Sequence, residues 1–292
     1  MMKLIGENLN IVSKTYGPAL KERNAAPLQE LAIAQTKAGM DFIDINIGPA
    51  RKDGDKFMEW VVKTVQEVTD LPLSLDTTNP LAMEAGLKAH RGKALLNSIS
   101  LERMAEELPL AVKYDCDFVG LLWGRDGLPR DVNERGAIAA ELLYNANEKG
   151  IGAERIWFDP IATPAVNIQS NHVKPCLEFL SMLQDLAPGA KSIVGLSNVS
   201  NGAPNHLRPY LNRTYLMMLM KYNIYSAILD AFDTELLEIA RGNRPELVNL
   251  VQKAMMGEQI DTNSLSPEEI KYVKTVKVLL GEVLYSHSWL EY

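Results

Sequence analysis

Several short apolar runs in this 292-residue chain end on small polar side chains of one chemical kind. KSIVGLSN delivers Ser197 and Asn198, and DFIDINI carries Asp44 and Asn46. The runs from Leu71 and Lys93 close on Asp76 and on Asn97 with Ser98, while RIWFD ends at Asp159 and IYSAILD at Asp230. Carboxylates accept hydrogen bonds, and amides both donate and accept. Gathered in one mouth, this set suits a neutral heterocycle bearing amino, ring N–H and carbonyl groups; a sugar phosphate would need more cations. Several carboxylates could instead hold Mg²⁺. No histidine ends any of these runs, and the amides dilute the charge that a hard cation requires, so no metal ligands are assigned.

Taken singly, Asn46, Thr78 and Asp230 read as turn formers or helix caps, and it is the repetition that points to a site. Glu7 and Asn10 read equally as rim ligands or as hydrogen-bonded plugs of the barrel. None of the four histidines is assigned catalysis. His90 and His287 read as helical and peripheral, His172 and His206 as loop residues.

The elements that would position these side chains alternate regularly. Strands are expected at Lys3–Asn10, Asp41–Ile47, Leu71–Asp76, Lys93–Ser98, Asp117–Trp123, Arg155–Asp159, Lys191–Asn198 and Ile224–Asp230, each followed by residues with helical periodicity. Those helices are Pro27–Gly39, Lys56–Thr69, Pro80–His90, Leu101–Tyr114, Asn133–Lys149, a stretch near Val173–Leu186, Leu207–Lys221 and Thr234–Ala240. The fifth strand has an apolar end and is followed by the loop GRDGLPRD; the loop IATPAVNIQSNH follows the sixth. Eight such alternations without a GxGxxG or GxxxxGK[ST] loop favour an α/β fold of the (β/α)8 TIM-barrel type over an open doubly wound sheet. In that fold the polar strand ends converge on one face.

Residues 1–240 are thus expected to form the barrel and residues 241–292 a C-terminal helical extension packed on it. In the extension, Pro245–Met256 reads as a helix, and Ser266, Pro267 and Glu269 make a capping box opening a last helix that runs toward His287. A formal charge of −7 gives no field for nucleic acid. The two cysteines, Cys116 and Cys176, lack zinc-type spacing and suggest a reducing, cytoplasmic location. Neither a signal peptide nor a run of the roughly 20 apolar residues needed to span a bilayer is found in the sequence.

The segments IGENLN, DFIDINIGP, LSLDTTN, LLNSIS, WFDPIA, GLSNVS and LRPYLNRTY, in this order and spacing, resemble the methyltetrahydrofolate:corrinoid protein methyltransferases of the pterin-binding TIM-barrel family. The resemblance covers nearly all of residues 3–240. It implies a pterin held by Asp76, Asn97 and Asp159, with Asn198 beside the pterin N5 as the catalytic residue and Arg208 in the loop beyond, next to the folate. Asp44, Asn46, Gly195 and Ser197 complete the implied folate-binding set. Also implied are tetrahydrofolate or methyltetrahydrofolate as substrate, a corrinoid (cobalamin) carried by a partner protein, and a homodimer.

Asn8 stands where the family's first motif, closer to IGERIN, has a basic residue, which changes the contacts at the rim. The loop from Val199 to Arg208 and the extension from Pro245 differ from the shortest carbonyl-pathway members and favour transfer from a methylcorrinoid protein to tetrahydrofolate in a demethylase system. Alternative readings are methyl transfer from methyltetrahydrofolate to the corrinoid iron–sulfur protein of the acetyl-CoA pathway, a dihydropteroate synthase-like enzyme, a metal-dependent barrel lyase or hydrolase, and a non-catalytic pterin-binding subunit. Dihydropteroate synthases carry a lysine in the seventh-strand signature where this chain has Ser197-Asn198-Val199.

Overall fold

A computed structural model describes residues 2–167 and 173–291. Eight parallel strands close into a barrel in sequence order: Lys3–Asn10 (β1), Phe42–Asn46 (β2), Leu73–Asp76 (β3), Leu95–Ile99 (β4), Asp117–Leu121 (β5), Ile156–Asp159 (β6), Lys191–Gly195 (β7) and Ser226–Leu229 (β8). Helices Gly17–Glu22 (α1) and Ala25–Lys37 (α2) follow β1. Gly54–Gln66 (α3), Pro80–Ala89 (α4), Met104–Lys113 (α5), Val132–Glu148 (α6), Val173–Leu186 (α7), Arg208–Met220 (α8) and Thr234–Ala240 (α9) follow the remaining strands in turn. Pro245–Met255 (α10) and Pro267–Leu279 (α11) pack on each other and against α8, outside the barrel. The expected (β/α)8 barrel with a helical extension is the observed architecture.

Because side chains alternate across a strand, the barrel interior is built in layers. Ile5, Leu95, Val119, Trp157 and Ile193, with Phe42, Tyr225 and Ile228 against them, form an apolar cluster inside the barrel. It is separate from the larger core between strands and helices. Each fully buried aliphatic side chain there stabilises the fold by about 1.5–3 kcal/mol. One pleat toward the strand N-termini, the inward positions carry Lys3, Asp117 and Lys191. Toward the C-termini they carry Glu7, Asp44, Asp76, Asn97, Asp159, Gly195 and Asp230. The ladder register sets Asp44 beside Ser74, Asp76 beside Asn97 and Leu121 beside Asp159.

The structure corrects several expected boundaries. β7 ends at Gly195, and Ser197 and Asn198 lie on a 3-10 turn, Leu196–Ser200, because the chain leaves the extended conformation at Gly195. β5 stops at Leu121, short of Trp123, and a tight turn bridges Gly124 and Gly127. The helix α1 precedes Pro27, where the expected helix begins; at 6 residues it is too short to show a period in the sequence.

The capping box is present, with Glu269 Oε2 accepting from the Ser266 N–H at 2.8 Å, but the helix it opens ends at Leu279. Gly281 at φ 75° turns the chain back, so that Trp289 is buried with its Nε1 donating to Thr275 Oγ1 at 3.0 Å. His287 is therefore exposed and non-helical. His90 is not peripheral: it ends α4, is buried, and its Nε2 accepts the Leu73 N–H at 3.1 Å. His172 and part of the loop expected before α7 lie outside the described residues.

Candidate functional site at the barrel mouth

The inward positions at the C-terminal ends of β2, β3 and β4 form one hydrogen-bonded group. Asp44, buried on β2, accepts from Ser74 Oγ at 2.6 Å and from the Asn97 amide at 3.2 Å. The Asn46 amide donates to Asp76, and its carbonyl accepts the Gly48 N–H at 3.0 Å, so Asn46 shapes the turn and also holds a site carboxylate. Burial raises Asp44 to about 6 against the hydrogen bonds from Ser74 and Asn97. Burial, followed by the neighbouring Asp44 charge, pushes Asp76 well above its ordinary value, opposed by Asn46 and Arg103. Asp76 itself still touches solvent at the mouth.

Across the mouth, Asp159 at the end of β6 is buried and accepts the Ile161 N–H at 2.8 Å. Burial raises it to about 6, while backbone N–H bonds from Ile161 and Gly195 and the Arg135 charge restrain it. Arg135 is itself fully buried and donates to the Pro160 carbonyl at 2.9 Å and to the Pro129 carbonyl at 3.2 Å, tying the loops after β5 and β6 together. Gly195 has a steric role as well. A Cβ there would come 3.0 Å from the Asn198 amide nitrogen, so glycine makes room for that side chain. Asn198 is exposed at the mouth, and Ser197 Oγ donates to Glu7 Oε1 at 2.6 Å. Arg208, first residue of α8, donates to Ser200 Oγ at 3.2 Å, and its charge acts on Glu7.

The sequence-predicted residues Asp44, Asn46, Asp76, Asn97, Asp159, Gly195, Ser197, Asn198 and Arg208 all lie at this one end of the barrel. Asp230 is there too, bound by the amide of Asn8 at 2.8 Å; the Asn8 carbonyl in turn accepts the Ala231 N–H at 3.0 Å. The departure from the family's first motif is thus filled by a neutral bridge from β1 to the end of β8. Asn10, by contrast, turns its carbonyl to the Val12 N–H at 3.0 Å as a turn former.

Sequence reasoning missed Ser74 and Arg103. Ser74 was legible in principle, two residues before Asp76 on the same face. Arg103 was not, because it lies beyond the strand end. There its Nε donates to Glu107 at 2.9 Å and its guanidinium donates to the Ser98 carbonyl at 3.0 Å, placing a cation near Asp76. Among the described residues, no group of three His, Cys, Asp or Glu side chains is arranged to hold a metal ion.

The mouth of this α/β barrel offers inward carboxylates and amides that can accept and donate hydrogen bonds to a polar ligand. The chain belongs to the pterin binding enzyme family, whose model matches residues 10–218. A methylcorrinoid:tetrahydrofolate methyltransferase from Eubacterium limosum is 26% identical over 233 residues, covering 78% of this chain and 85% of that protein. The methionine synthase of Mycobacterium leprae is 24% identical over 240 residues; the match covers 78% of this chain but 20% of that much longer protein. Solved structures of dihydropteroate synthase share the fold. That of Yersinia pestis, with a sulfonamide drug, matches at a TM-score of 0.66 and 18% identity, covering 84% of this chain and 94% of the other. That of Thermus thermophilus matches at 0.62 and 20% identity, over 84% and 94%.

Proposed function

We propose that the protein moves a methyl group between N5 of tetrahydrofolate and the cobalt of a corrinoid held by a partner protein, running from methylcorrinoid to tetrahydrofolate. The observation that carries this reading is the pairing of a heterocycle-binding ring, formed by Asp44, Asp76, Asn97 and Asp159, with an exposed amide, Asn198, seated over Gly195 at its edge. A pterin's amino and ring N–H groups match the carboxylates, and its carbonyl matches the Asn97 amide. The relative from Eubacterium limosum, matched over most of both chains, supports the same chemistry and direction.

Methyl transfer to or from N5 changes the charge and hydrogen-bonding demand of that nitrogen. Asn198, a neutral amide, bonds N5 as its lone pair is consumed or released, without titrating itself. Asp76, Asn97 and Asp159 hold the ring and fix N5 beneath the open side of the mouth, where the methylcorrinoid substrate approaches. Arg208, with Ser197, borders the folate. Asn198→Ala is expected to slow single-turnover transfer between methylcobalamin or methylcorrinoid protein and tetrahydrofolate by about 100-fold, with folate Kd nearly unchanged; an unchanged rate with folate still bound would remove Asn198 from the mechanism.

The dihydropteroate synthase structures share this fold at no more than 20% identity, and Ser197-Asn198-Val199 lacks the lysine of that family's signature. The proposal also takes residues 1–240 as the catalytic barrel, residues 241–292 as an added layer, and the protein as a cytoplasmic homodimer. The unpaired, buried thiols of Cys116 and Cys176 fit a reducing compartment. Among the described residues no helix is long and apolar enough to cross a membrane.

A further inference from the structure

The reaction proposed above leaves one proton without a place. As the N5 lone pair of tetrahydrofolate forms the N–C bond, the cobalt–carbon bond breaks with both electrons staying on cobalt, and the N5–H proton must leave. The ring-holding carboxylates are occupied by the pterin's own N–H groups. Glu7 is not among them. It sits on the inward face of β1, beside Asn198's turn, and its carboxylate accepts from the Ser197 hydroxyl at 2.6 Å.

We propose that Glu7 takes this proton, relayed by the Ser197 hydroxyl, which accepts from the N5 side as it donates to the Glu7 carboxylate. In the reverse direction the same pair returns the proton to N5. The inference rests on the folate-methyltransferase reading and adds to it the group that balances its proton.

The surroundings of Glu7 suit that task. Asp230, just after β8, and Asp44 from β2 disfavour its charge, whereas Arg208 from α8 and the Ser197 hydroxyl favour it. Burial outweighs the rest and brings it to about 7. Asp230 is itself tied up by the Asn8 amide and the Phe232 N–H, which leaves it a fixed neighbour and not a second acceptor. A group poised near the operating pH both accepts and returns a proton with little loss in either direction. Ser197 is a two-way link because a hydroxyl donates and accepts at once.

The test uses the full-length protein and two variants, Glu7→Gln and Ser197→Ala, with tetrahydrofolate binding measured separately from single-turnover methyl transfer from methylcobalamin or methylcorrinoid protein. Wild-type transfer to tetrahydrofolate should rise with pH through about 7, and the reverse reaction should fall over the same range. Glu7→Gln, which keeps a partner for Ser197, should bind folate within about threefold of wild type, transfer about 100-fold more slowly and lose both pH inflections. Ser197→Ala should slow single-turnover transfer at saturating folate comparably, whatever its effect on folate Kd, and flatten the same pH inflections, providing a second measure should Glu7→Gln fold poorly. A variant with the wild-type rate and pH profile would overturn the assignment, as would a Glu7→Gln protein whose defect is entirely in folate affinity. Wild-type protein that binds no folate would instead overturn the methyltransferase reading, and this inference with it.

Discussion

The two ends of the barrel interior are both charged and have opposite designs. At the N-terminal end Asp117 accepts from Lys191 at 2.9 Å and from the Trp157 indole at 3.1 Å, pairs with Lys93 at 3.1 Å, and has Arg155 close by. Burial would raise its carboxyl, but the bonds from Lys191, Trp157 and Lys93 overcome that and hold it below its ordinary value. Lys191 also lies over the Trp157 and Tyr225 rings, at 5.1 and 5.6 Å from their centroids. At the C-terminal end Asp44, Asp76, Asp159 and Glu7 receive amides, hydroxyls and backbone N–H groups, with Arg103, Arg135 and Arg208 acting only from the margin, and all four are pushed up. One end has its charges matched for stability. The other leaves acceptors under-matched, which is what the proposed folate site requires if the ligand's N–H groups are to bond them.

The largest expected effect breaks the mouth. Asp76→Ala should raise the tetrahydrofolate Kd by about 100-fold or more, roughly 3 kcal/mol for charge-assisted bonds to buried ring N–H groups, without lowering the unfolding free energy. Isothermal titration and urea unfolding of the same variant check both halves. The converse change, Asp117→Ala, should lower the unfolding free energy by about 3 kcal/mol, because it strands Lys191 and the Trp157 N–H. Folate affinity should stay as it was; a loss of affinity would show that the two ends are coupled.

The smallest effect sharpens the contrast through pH. Asp159 rises from 3.8 to about 6 in the fold, so between about pH 4 and 6 the native state holds a proton that the unfolded chain has released, and stability falls as pH rises through that window. Asp159→Asn should therefore stabilise the free protein by about 1 kcal/mol at pH 7, after allowance for its weakened backbone bonds, with the gain fading near pH 4. Urea midpoints at the two pH values test the sign. The same variant should bind folate poorly, setting stability against function at a single carboxylate.

The barrel was legible because its signal is local. Apolar runs closed by small polar residues, then helical periodicity, recur from β1 to β8 with the apolar-ended β5 as the exception, and Ser266 with Glu269 marked the start of α11. Ends of elements were less legible: Ser197 and Asn198 belong to a turn after Gly195, and α11 stops at Leu279 because Gly281 and the docking of Trp289 turn the chain, which is a tertiary event. The choice of polar residues was likewise readable for Asp76 and Asp159, which end β3 and β6, and for Asp44 and Asn97, which lie within β2 and β4 near their C-terminal ends.

Pairings were not readable. Glu7 and Ser197 are 190 residues apart and meet at 2.6 Å, and Asn8 reaches Asp230 across 222 residues. By itself the sequence determined which side chains face into the barrel, since alternation along a strand depends only on neighbours in the chain. Closure of β8 onto β1 decided which of those side chains touch. It also decided which carboxylates lose water, because burial and the distance between charges exist only once the ring is shut.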